Sequence, residues 1–134
     1  MANAYHAQNQ WGGSAAPWHD GGNWSLGCRG TQHVVDLNVA STDGGHSLTG
    51  TMTYAGEGPI GFKAHHTGGC NYTVENQWGG NAAPWHPGGN WVIGCRPTQS
   101  VISVHATSHD GGKSFDGTMT YAGEGPIGLK LNLH

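Results

Sequence analysis

Among the side chains that could do chemistry in this sequence of 134 residues, a small set recurs 67 residues later. Each copy of the repeated set holds one glutamate, one arginine and three tryptophans: Glu57 and Glu124, Arg29 and Arg96, Trp11 and Trp78, Trp18 and Trp85, Trp24 and Trp91. An indole face stacks on apolar C–H groups, while a carboxylate and a guanidinium make charge-assisted hydrogen bonds to hydroxyl groups. Glycine beside tryptophan lets backbone amides approach a ligand closely. The repeated set therefore indicates a site for a neutral polyhydroxyl ligand such as a sugar.

Each of these residues also has a purely structural interpretation. Most tryptophans in a small domain are buried or half-buried, which would remove them from a binding site. Trp11 and Trp78 are the exception, because each opens a loop at a Trp-Gly-Gly sequence. The arginines could be solvated strand ends, and the glutamates could be solvated acids within Gly-Glu-Gly-Pro loops. Binding residues are therefore expected first at the two Trp-Gly-Gly segments, while the role of the charged pairs stays open at this point.

Catalysis is the main competing function. A glycosidase flanks the scissile bond with two carboxyl groups, about 5–5.5 Å or about 6.5–9.5 Å apart. Each copy repeats only one suitable acid, Glu57 or Glu124, because Asp43 and Asp110 belong to Asp-Gly-Gly turns. No repeated Ser-His-acid set accompanies them. We expect a protein that is not an enzyme, and a glycan-processing enzyme and a structural self-association module are the alternative hypotheses.

Metal and cofactor sites are not expected either. Among the ten histidines only His19 and His86 recur between the copies, and no neighbouring zinc-ligand spacing accompanies them. Segment 56–61 matches G-x-G-x-x-G. A dinucleotide site needs a strand before this motif and a helix after it, so the match alone does not predict a cofactor site. The three cysteines lack zinc spacing as well. The equivalent pair, Cys28 and Cys95, is predicted to be small buried strand residues.

Charge and hydropathy exclude two classes of partner. Five basic residues and a net charge of −3 leave no patch that could hold a phosphate backbone, so no nucleic acid is expected. No apolar run approaches the roughly 18 residues of a membrane span, so no membrane insertion is expected. The first residues show no secretory signal, and unpatterned cysteines are typical of a reducing compartment. We expect a cytoplasmic protein, with release by a non-classical route left open.

The chain is one unit written twice, as residues 1–67 and 68–134. The longest identical stretch is Gly-Thr-Met-Thr-Tyr-Ala-Gly-Glu-Gly-Pro-Ile-Gly, at 50–61 and again at 117–128. No linker separates the copies, and a unit of 67 residues would be marginal alone. We therefore predict a single domain over 1–134 with approximate two-fold symmetry, in which every surface feature occurs twice.

The sequence favours strands over helices, because glycine is abundant and helix formers are scarce. Val35, Leu37 and Val39 alternate with Asp36 and Asn38, which is the period of a half-buried strand. Asp-Gly pairs between such runs indicate hairpins. About five strands per copy result, and about ten short antiparallel strands suit a closed barrel or a tight sandwich. Loops are predicted at 12–22, 79–89, 55–59 and 122–126.

The repeated motifs also carry a family resemblance. Asn-Gln-Trp-Gly-Gly, Ala-Pro-Trp and Gly-Thr-Met-Thr-Tyr-Ala-Gly-Glu-Gly-Pro-Ile-Gly resemble segments of the Oscillatoria agardhii agglutinin family of lectins, over essentially the whole chain. The resemblance implies a compact ten-stranded antiparallel β-barrel without cofactors. It also implies a monomer with two symmetric sites for the branched α1-3,α1-6 mannose core of high-mannose glycans. Agglutination of cells and binding to viral envelope glycoproteins follow from the same resemblance.

The resemblance further implies which residues form each site, since family sites join loops from both repeats. The first site would consist of Trp11, Gly12, Gly13, Arg96, Glu124 and Gly125. The second would consist of Trp78, Gly79, Gly80, Arg29, Glu57 and Gly58. One departure lies after the arginine, where Pro97 replaces Gly30 of the other copy and removes a backbone N–H. Unequal affinities of the two sites are therefore expected.

Overall fold

The computed structural model describes residues 3–134, which form ten antiparallel β-strands. Their bounds are Asn3–Gln10 (β1), Trp18–Leu26 (β2), Val34–Ala40 (β3), Ser47–Tyr54 (β4), Ile60–Gly68 (β5), Asn71–Gln77 (β6), Trp85–Val92 (β7), Val101–Thr107 (β8), Ser114–Tyr121 (β9) and Ile127–Leu133 (β10). The strands close into a barrel in the order β1-β10-β9-β8-β3-β4-β5-β6-β7-β2. Among these residues no helix is long and apolar enough to cross a membrane. The predicted all-β, ten-stranded antiparallel barrel is confirmed.

The barrel closes through strand pairs that join the two repeats. β1 pairs with β10, β5 with β6, β3 with β8, and β2 briefly with β7. Following the antiparallel order around the barrel places the β1–β2, β7–β8 and β9–β10 connections at one end. The β2–β3, β4–β5 and β6–β7 connections lie at the opposite end. Each end therefore carries loops from both copies.

The inward-facing residues of every strand fill the barrel with large aromatic and aliphatic groups. The largest of the fully buried side chains are Trp24, Trp91, Tyr5, Tyr54, Tyr72, Tyr121, Phe62 and Phe115. Trp24 and Trp91 are only 1% and 0% exposed, so the structural interpretation holds for this pair. The Nε1–H of Trp91 donates to the Gly88 carbonyl at 3.0 Å. These two indoles belong to the core and are excluded from any surface site.

Two buried asparagines hold the strands that lead into the Trp-Gly-Gly segments. The Nδ2 of Asn76 on β6 donates to the Gly61 carbonyl on β5 at 3.3 Å. Its counterpart Asn9 on β1 donates to the Gly128 carbonyl on β10, also at 3.3 Å. Both amides are nearly fully buried, so losing these bonds would leave polar groups unsatisfied. Each asparagine thereby fixes a strand of one repeat against a strand of the other.

The loop predicted at 12–22 is too long, because β2 already begins at Trp18, and the same correction applies to its copy at 79–89. The glycines in this stretch serve a close approach of strands. A Cβ atom at Gly21 would lie 2.7 Å from the Oδ1 of Asn9 on the neighbouring strand. The register of β1 with β2 also shifts here, as in a β-bulge. Glycine was needed for packing within the strand as well as for the loop.

The prediction of buried strand cysteines is wrong. Cys28 is half-buried and Cys95 is exposed, and both follow the end of their strands. The backbone N–H of Cys28 donates to the hydroxyl of Tyr54 at 3.0 Å, and that of Cys95 donates to Tyr121 at 3.0 Å. These backbone bonds hold the chain over the barrel end, which leaves each thiol outside the core.

The Asp-Gly-Gly turns are closed by their own carboxylates. Asp43 accepts hydrogen bonds from the backbone N–H and the hydroxyl of Ser47 at 3.0 and 2.7 Å, and from the Ser41 hydroxyl at 2.7 Å. Bonds from Ser47 and Ser41 favour the charged form and hold the pKa of Asp43 well below its usual range. Asp110 has the same arrangement and the same direction of pKa change. The turn role predicted for these acids agrees with this geometry.

A substitution at Gly50 tests the close packing of β3 against β4. A Cβ atom there would fall on the carbonyl oxygen of Asn38 and lie 2.9 Å from the Cα of Val39. We expect Gly50→Ala to lower the free energy of unfolding by about 2 kcal/mol, since a packed strand backbone must shift. Chemical denaturation would measure it. Gly30→Ala, which adds a methyl group in open space, is the control, and an equal loss in both variants would contradict this account.

Candidate functional site

An arginine, a glutamine and a glutamate form one hydrogen-bonded cluster in each copy. The Nη1 of Arg29, just after β2, lies 3.0 Å from Oε2 of Glu57 in the β4–β5 turn. The Nε2 of Gln32 donates to the same carboxylate oxygen at 3.0 Å, and Gln32 Oε1 accepts from Arg29 at 2.6 Å. The arginine and glutamate side chains are 33% and 43% exposed. The charged pair is therefore held in place while part of each group remains open to a ligand.

The second copy reproduces this cluster almost atom for atom. Arg96 Nη1 lies 3.1 Å from both carboxylate oxygens of Glu124, and Gln99 Nε2 donates to Glu124 at 3.0 Å. The Pro97 that distinguishes this copy does not displace the ion pair. Sequence reasoning missed both glutamines as site residues. The repeat could have identified them as candidates, because Gln32 and Gln99 are 67 residues apart and each lies three positions after its arginine.

A buried tyrosine supports each arginine from below. The guanidinium carbon of Arg29 lies 4.0 Å from the ring centre of Tyr54, and that of Arg96 lies 4.1 Å from Tyr121. Such cation–π contacts fix the plane of the guanidinium group. Burial raises the pKa of Tyr54 to about 12, so its hydroxyl stays protonated at any physiological pH. Each arginine is therefore held between a neutral aromatic face and its glutamate.

The two Trp-Gly-Gly segments present their indoles at the surface. Trp11 and Trp78 are 44% and 46% exposed, and they are the exposed large hydrophobic residues among those described. One face of Trp78 stacks on the imidazole of His86, with ring centres 4.1 Å apart and 15° between planes. Trp11 stacks on His19 in the same way, at 4.0 Å and 14°. Each indole therefore keeps one covered face and a second face directed away from its histidine.

The loop behind each indole is stiffened by a glutamine that sequence reasoning also missed. The Nε2 of Gln77 donates to the carbonyls of Asn81 and Ala83, at 3.1 and 2.8 Å. Gln10 makes the equivalent bonds in the other copy. Gly79 and Gly80 have φ of +94° and +106°, conformations that side chains resist. This bracing holds the Trp-Gly-Gly backbone in one shape.

Strand pairing brings the predicted residues of each site to the same end of the barrel. Gln77, which precedes Trp78, pairs with Gly61, which closely follows the turn of Glu57 and Pro59. Pro59 and Trp78 line one common depression. In the other copy Gln10 pairs with Gly128, beside the turn of Glu124. The topology thus gathers each predicted set at one barrel end, with the indole from one repeat and the ion pair from the other.

The predicted glycines differ in their surroundings. Gly13, Gly58, Gly80 and Gly125 face open space, since a Cβ atom at any of them would meet nothing within 4 Å. Their backbone groups are accessible to a ligand for this reason. At Gly12 and Gly79 a Cβ atom would instead lie 3.6 Å from the alanine four residues later in its own loop. Gly12 and Gly79 therefore shape their loops, whereas the other four glycines leave the backbone uncovered.

The remaining tryptophans and ionisable residues form no further reactive centre at these ends. Trp18 and Trp85 are half-buried, each beneath a lysine ammonium, Lys130 at 4.4 Å and Lys63 at 4.2 Å from the ring centre. Within residues 3–134 no group of three or more histidine, cysteine, aspartate or glutamate residues is placed to hold a metal ion. The predicted site residues at each end therefore offer stacking on an indole and hydrogen bonding to a balanced ion pair.

Comparison with known proteins places the chain in a family. The model of the OAA-family lectin sugar binding domain matches residues 3–67 and again 70–134. The chain belongs to the OAA family of lectins. It is 60% identical to Lectin OAA of Planktothrix agardhii, over 94% of this chain and 96% of that protein. It is 61% identical to the myxobacterial hemagglutinin of Myxococcus xanthus over 98% of this chain, but spans only about half (49%) of that relative's length.

Solved structures of OAA-family lectins have the same barrel. The agglutinin of Pseudomonas fluorescens superposes with a TM-score of 0.96 at 63% identity, covering 98% of this chain and 99% of that one. The Myxococcus xanthus hemagglutinin in complex with a3,a6-mannopentaose gives a TM-score of 0.98 at 57% identity, covering 99% of this chain and 50% of that one. These proteins are described as lectins, agglutinins or hemagglutinins. The expectation of a carbohydrate-binding protein rather than an enzyme is confirmed, and neither alternative hypothesis gains support.

The hydrogen-bonded cluster predicts how the carboxyl groups titrate. The bond from Gln32, and after it the bond from Arg29, lowers the pKa of Glu57, since both favour the charged form. Gln32→Ala should therefore raise the pKa of Glu57 towards its usual value and leave Glu124 unchanged. NMR titration of the carboxyl carbons would measure both groups. Gln99→Ala should give the mirror result, and an unmoved Glu57 in Gln32→Ala would refute the role given to the glutamine.

Proposed function

We propose that the chain binds the branched α1-3,α1-6 mannose core of high-mannose N-glycans through two equivalent sites. The first site consists of Trp11, Gly12, Gly13, Arg96, Glu124 and Gly125. The second site consists of Trp78, Gly79, Gly80, Arg29, Glu57 and Gly58. The family assignment supports a sugar ligand, and the mannopentaose complex of the Myxococcus xanthus hemagglutinin supports mannose.

The observation that carries this proposal is an exposed indole, stacked on a histidine, at the same barrel end as an ion pair from the other repeat. The open face of Trp78 stacks on the C–H face of a mannose ring. Glu57 accepts hydrogen bonds from sugar hydroxyls, and Arg29 donates to sugar oxygens through the N–H groups that its partners leave exposed. The backbone at Gly80 and Gly58 is uncovered and approaches the sugar closely. These groups are held by contacts within the protein before any ligand binds, which reduces the entropy lost on binding.

The charge balance of each site suits an uncharged ligand. The positive charge of the arginine is compensated by the glutamate 3.0 Å away in one copy and 3.1 Å away in the other. A phosphate or sulfate group would meet the carboxylate as well as the guanidinium. Neutral hydroxyl groups instead find a donor and an acceptor side by side. We infer that selectivity for neutral mannose arises from this pairing.

Two sites on one chain explain agglutination without self-association. The sites lie at opposite ends of the barrel, so a monomer can join two glycoproteins or two cells. A surface dense in high-mannose glycans, such as a viral envelope, is the kind of target that gains most from two-site binding. We propose that the chain acts as a monomeric crosslinker of such surfaces.

Removing one indole separates binding from crosslinking. Trp11→Ala should weaken the first site by about 10- to 100-fold, the loss expected from one stacked aromatic group. Calorimetry with branched mannopentaose should then show one tight site per chain instead of two, and red-cell agglutination should be lost. Trp78→Ala should give the same pair of results, and the double variant should bind at neither site. Two unchanged tight sites in Trp11→Ala would refute the assignment.

The stacked histidine predicts a second, smaller effect. His86→Ala should weaken mannopentaose binding at the Trp78 site by about 2- to 10-fold, because an unsupported indole must be ordered on binding. His86→Phe should restore most of the affinity, since a ring again covers the rear face of the indole. Amide shifts during titration distinguish the two sites, and the Trp11 site is the internal control. Equal affinities in the alanine and phenylalanine variants would contradict the supporting role.

A further inference from the structure

A groove leaves the Trp78 loop and runs along the outer face of β4 and β5. Its volume of about 490 Å³ lies within the range of roughly 300–1,000 Å³ that is common for small-ligand sites. Besides Trp78, Gly79 and Gly80, side chains of the strands line it: Thr49, Thr51, Lys63, Gln77 and Trp85. Arg29, Glu57 and Gly58 are not among its lining residues. The groove therefore adjoins the proposed mannose site and is separate from the ion pair.

Two rows of cross-strand neighbours shape this groove. Thr51 pairs with Gly61, and Thr49 pairs with Lys63. Gly61 contributes no side chain, so a depression opens beside Thr51. The Trp85 ring forms the far wall, since its Cη2 would lie 3.1 Å from a Cβ atom at Gly61. The groove therefore forms where one glycine lacks a side chain between an indole and two threonine hydroxyls.

Lys63 holds a charged donor over this groove. Its Nζ lies 4.2 Å from the ring centre of Trp85, a cation–π contact that fixes the ammonium group. The neighbouring acid on β6, Glu75, is engaged with His65 at 3.3 Å. Among the described residues no carboxylate lies within ion-pair distance of Lys63. The Lys63 ammonium therefore lines the groove as a hydrogen-bond donor without an ion-pair partner among the described residues.

We propose that this groove is a subsite for one further hexose residue, attached to an arm of the glycan held at Trp78. The inference rests on the proposed function and extends that site. The shared Trp78–Gly80 loop makes the two surfaces continuous, so a sugar linked to the stacked mannose enters the groove directly. There the Lys63 ammonium donates to hydroxyl oxygens, and the hydroxyls of Thr49 and Thr51 both donate and accept. An uncharged saccharide satisfies all of these groups.

The other barrel end provides the natural comparison. Trp18 and Lys130 repeat the indole and ammonium there, at 4.4 Å. Asp116 takes the place of Thr49, as the cross-strand neighbour of Lys130. Unlike the threonine hydroxyl, a carboxylate cannot donate a hydrogen bond to a sugar oxygen. We therefore assign the subsite to the Trp78 end alone.

The test uses the intact chain with only the Trp78 site active, in a Trp11→Ala background. Calorimetry compares branched mannopentaose with the same glycan lengthened by one hexose on each outer arm. The longer glycan should bind about 5- to 10-fold more tightly, the gain from one or two hydrogen bonds. Its titration should shift the amides of Thr49, Thr51 and Gly61, which the pentaose should leave unmoved.

Three further substitutions in this background test which side chains cause the tighter binding of the longer glycan. Lys63→Met keeps the aliphatic stem over Trp85 and removes the donors, and Thr49→Asp installs the residue of the other end. Both should abolish the gain and leave pentaose affinity unchanged, while Lys130→Met, at the other end, should retain the gain. Equal affinity for the two glycans, or a gain that survives both Lys63→Met and Thr49→Asp, would overturn the subsite alone. Failure of the pentaose itself to bind would overturn the proposed function and the subsite with it.

Discussion

Pairing between strands of different repeats is the constraint on which both sites depend. β5 pairs with β6, and β1 pairs with β10, so the end of each Trp-leading strand lies beside the turn that carries the other repeat's glutamate. The buried amides of Asn76 and Asn9 fix these same strand pairs from inside the barrel. A single repeat contains an indole and an ion pair, but it holds them at opposite ends. Closing the barrel is therefore the step that assembles a site.

The side chains around each site are held mainly by neutral partners. A glutamine links each arginine to its glutamate, a tyrosine ring lies under each guanidinium, and a histidine ring covers the rear of each exposed indole. Hydrogen bonds to the uncharged glutamines and contacts with the tyrosine rings add no net charge to the surface, and they hold each charged side chain in place. A neutral ligand of many hydroxyl groups benefits from such fixed geometry, because each of its individual bonds is weak.

The sequence predicted the fold through features that are local along the chain. Alternation at Val35 to Val39 and the Asp-Gly turns required only neighbouring residues, and doubling the five strands of one repeat gave ten. The start of β2 at Trp18 was missed because the glycines that follow it were interpreted as loop residues. Gly21 instead allows Asn9 of the neighbouring strand to approach, and such a contact between strands is not visible in the sequence. The roles of His86, Gln32 and Gln77 were missed for the same reason, since each acts through a partner that only the folded chain supplies. Repetition alone could have marked all three as candidates.

The placement of the two proposed sites at opposite ends of the barrel has a geometric consequence. Strands of seven to nine residues, at about 3.3 Å per residue, set the two indoles on the order of 25 Å apart. One branched sugar chain is too compact to occupy both. With both proposed sites occupied, each molecule would act as a rigid link of fixed length, and glycoproteins with several sugar chains would be joined into an extended network of regular spacing.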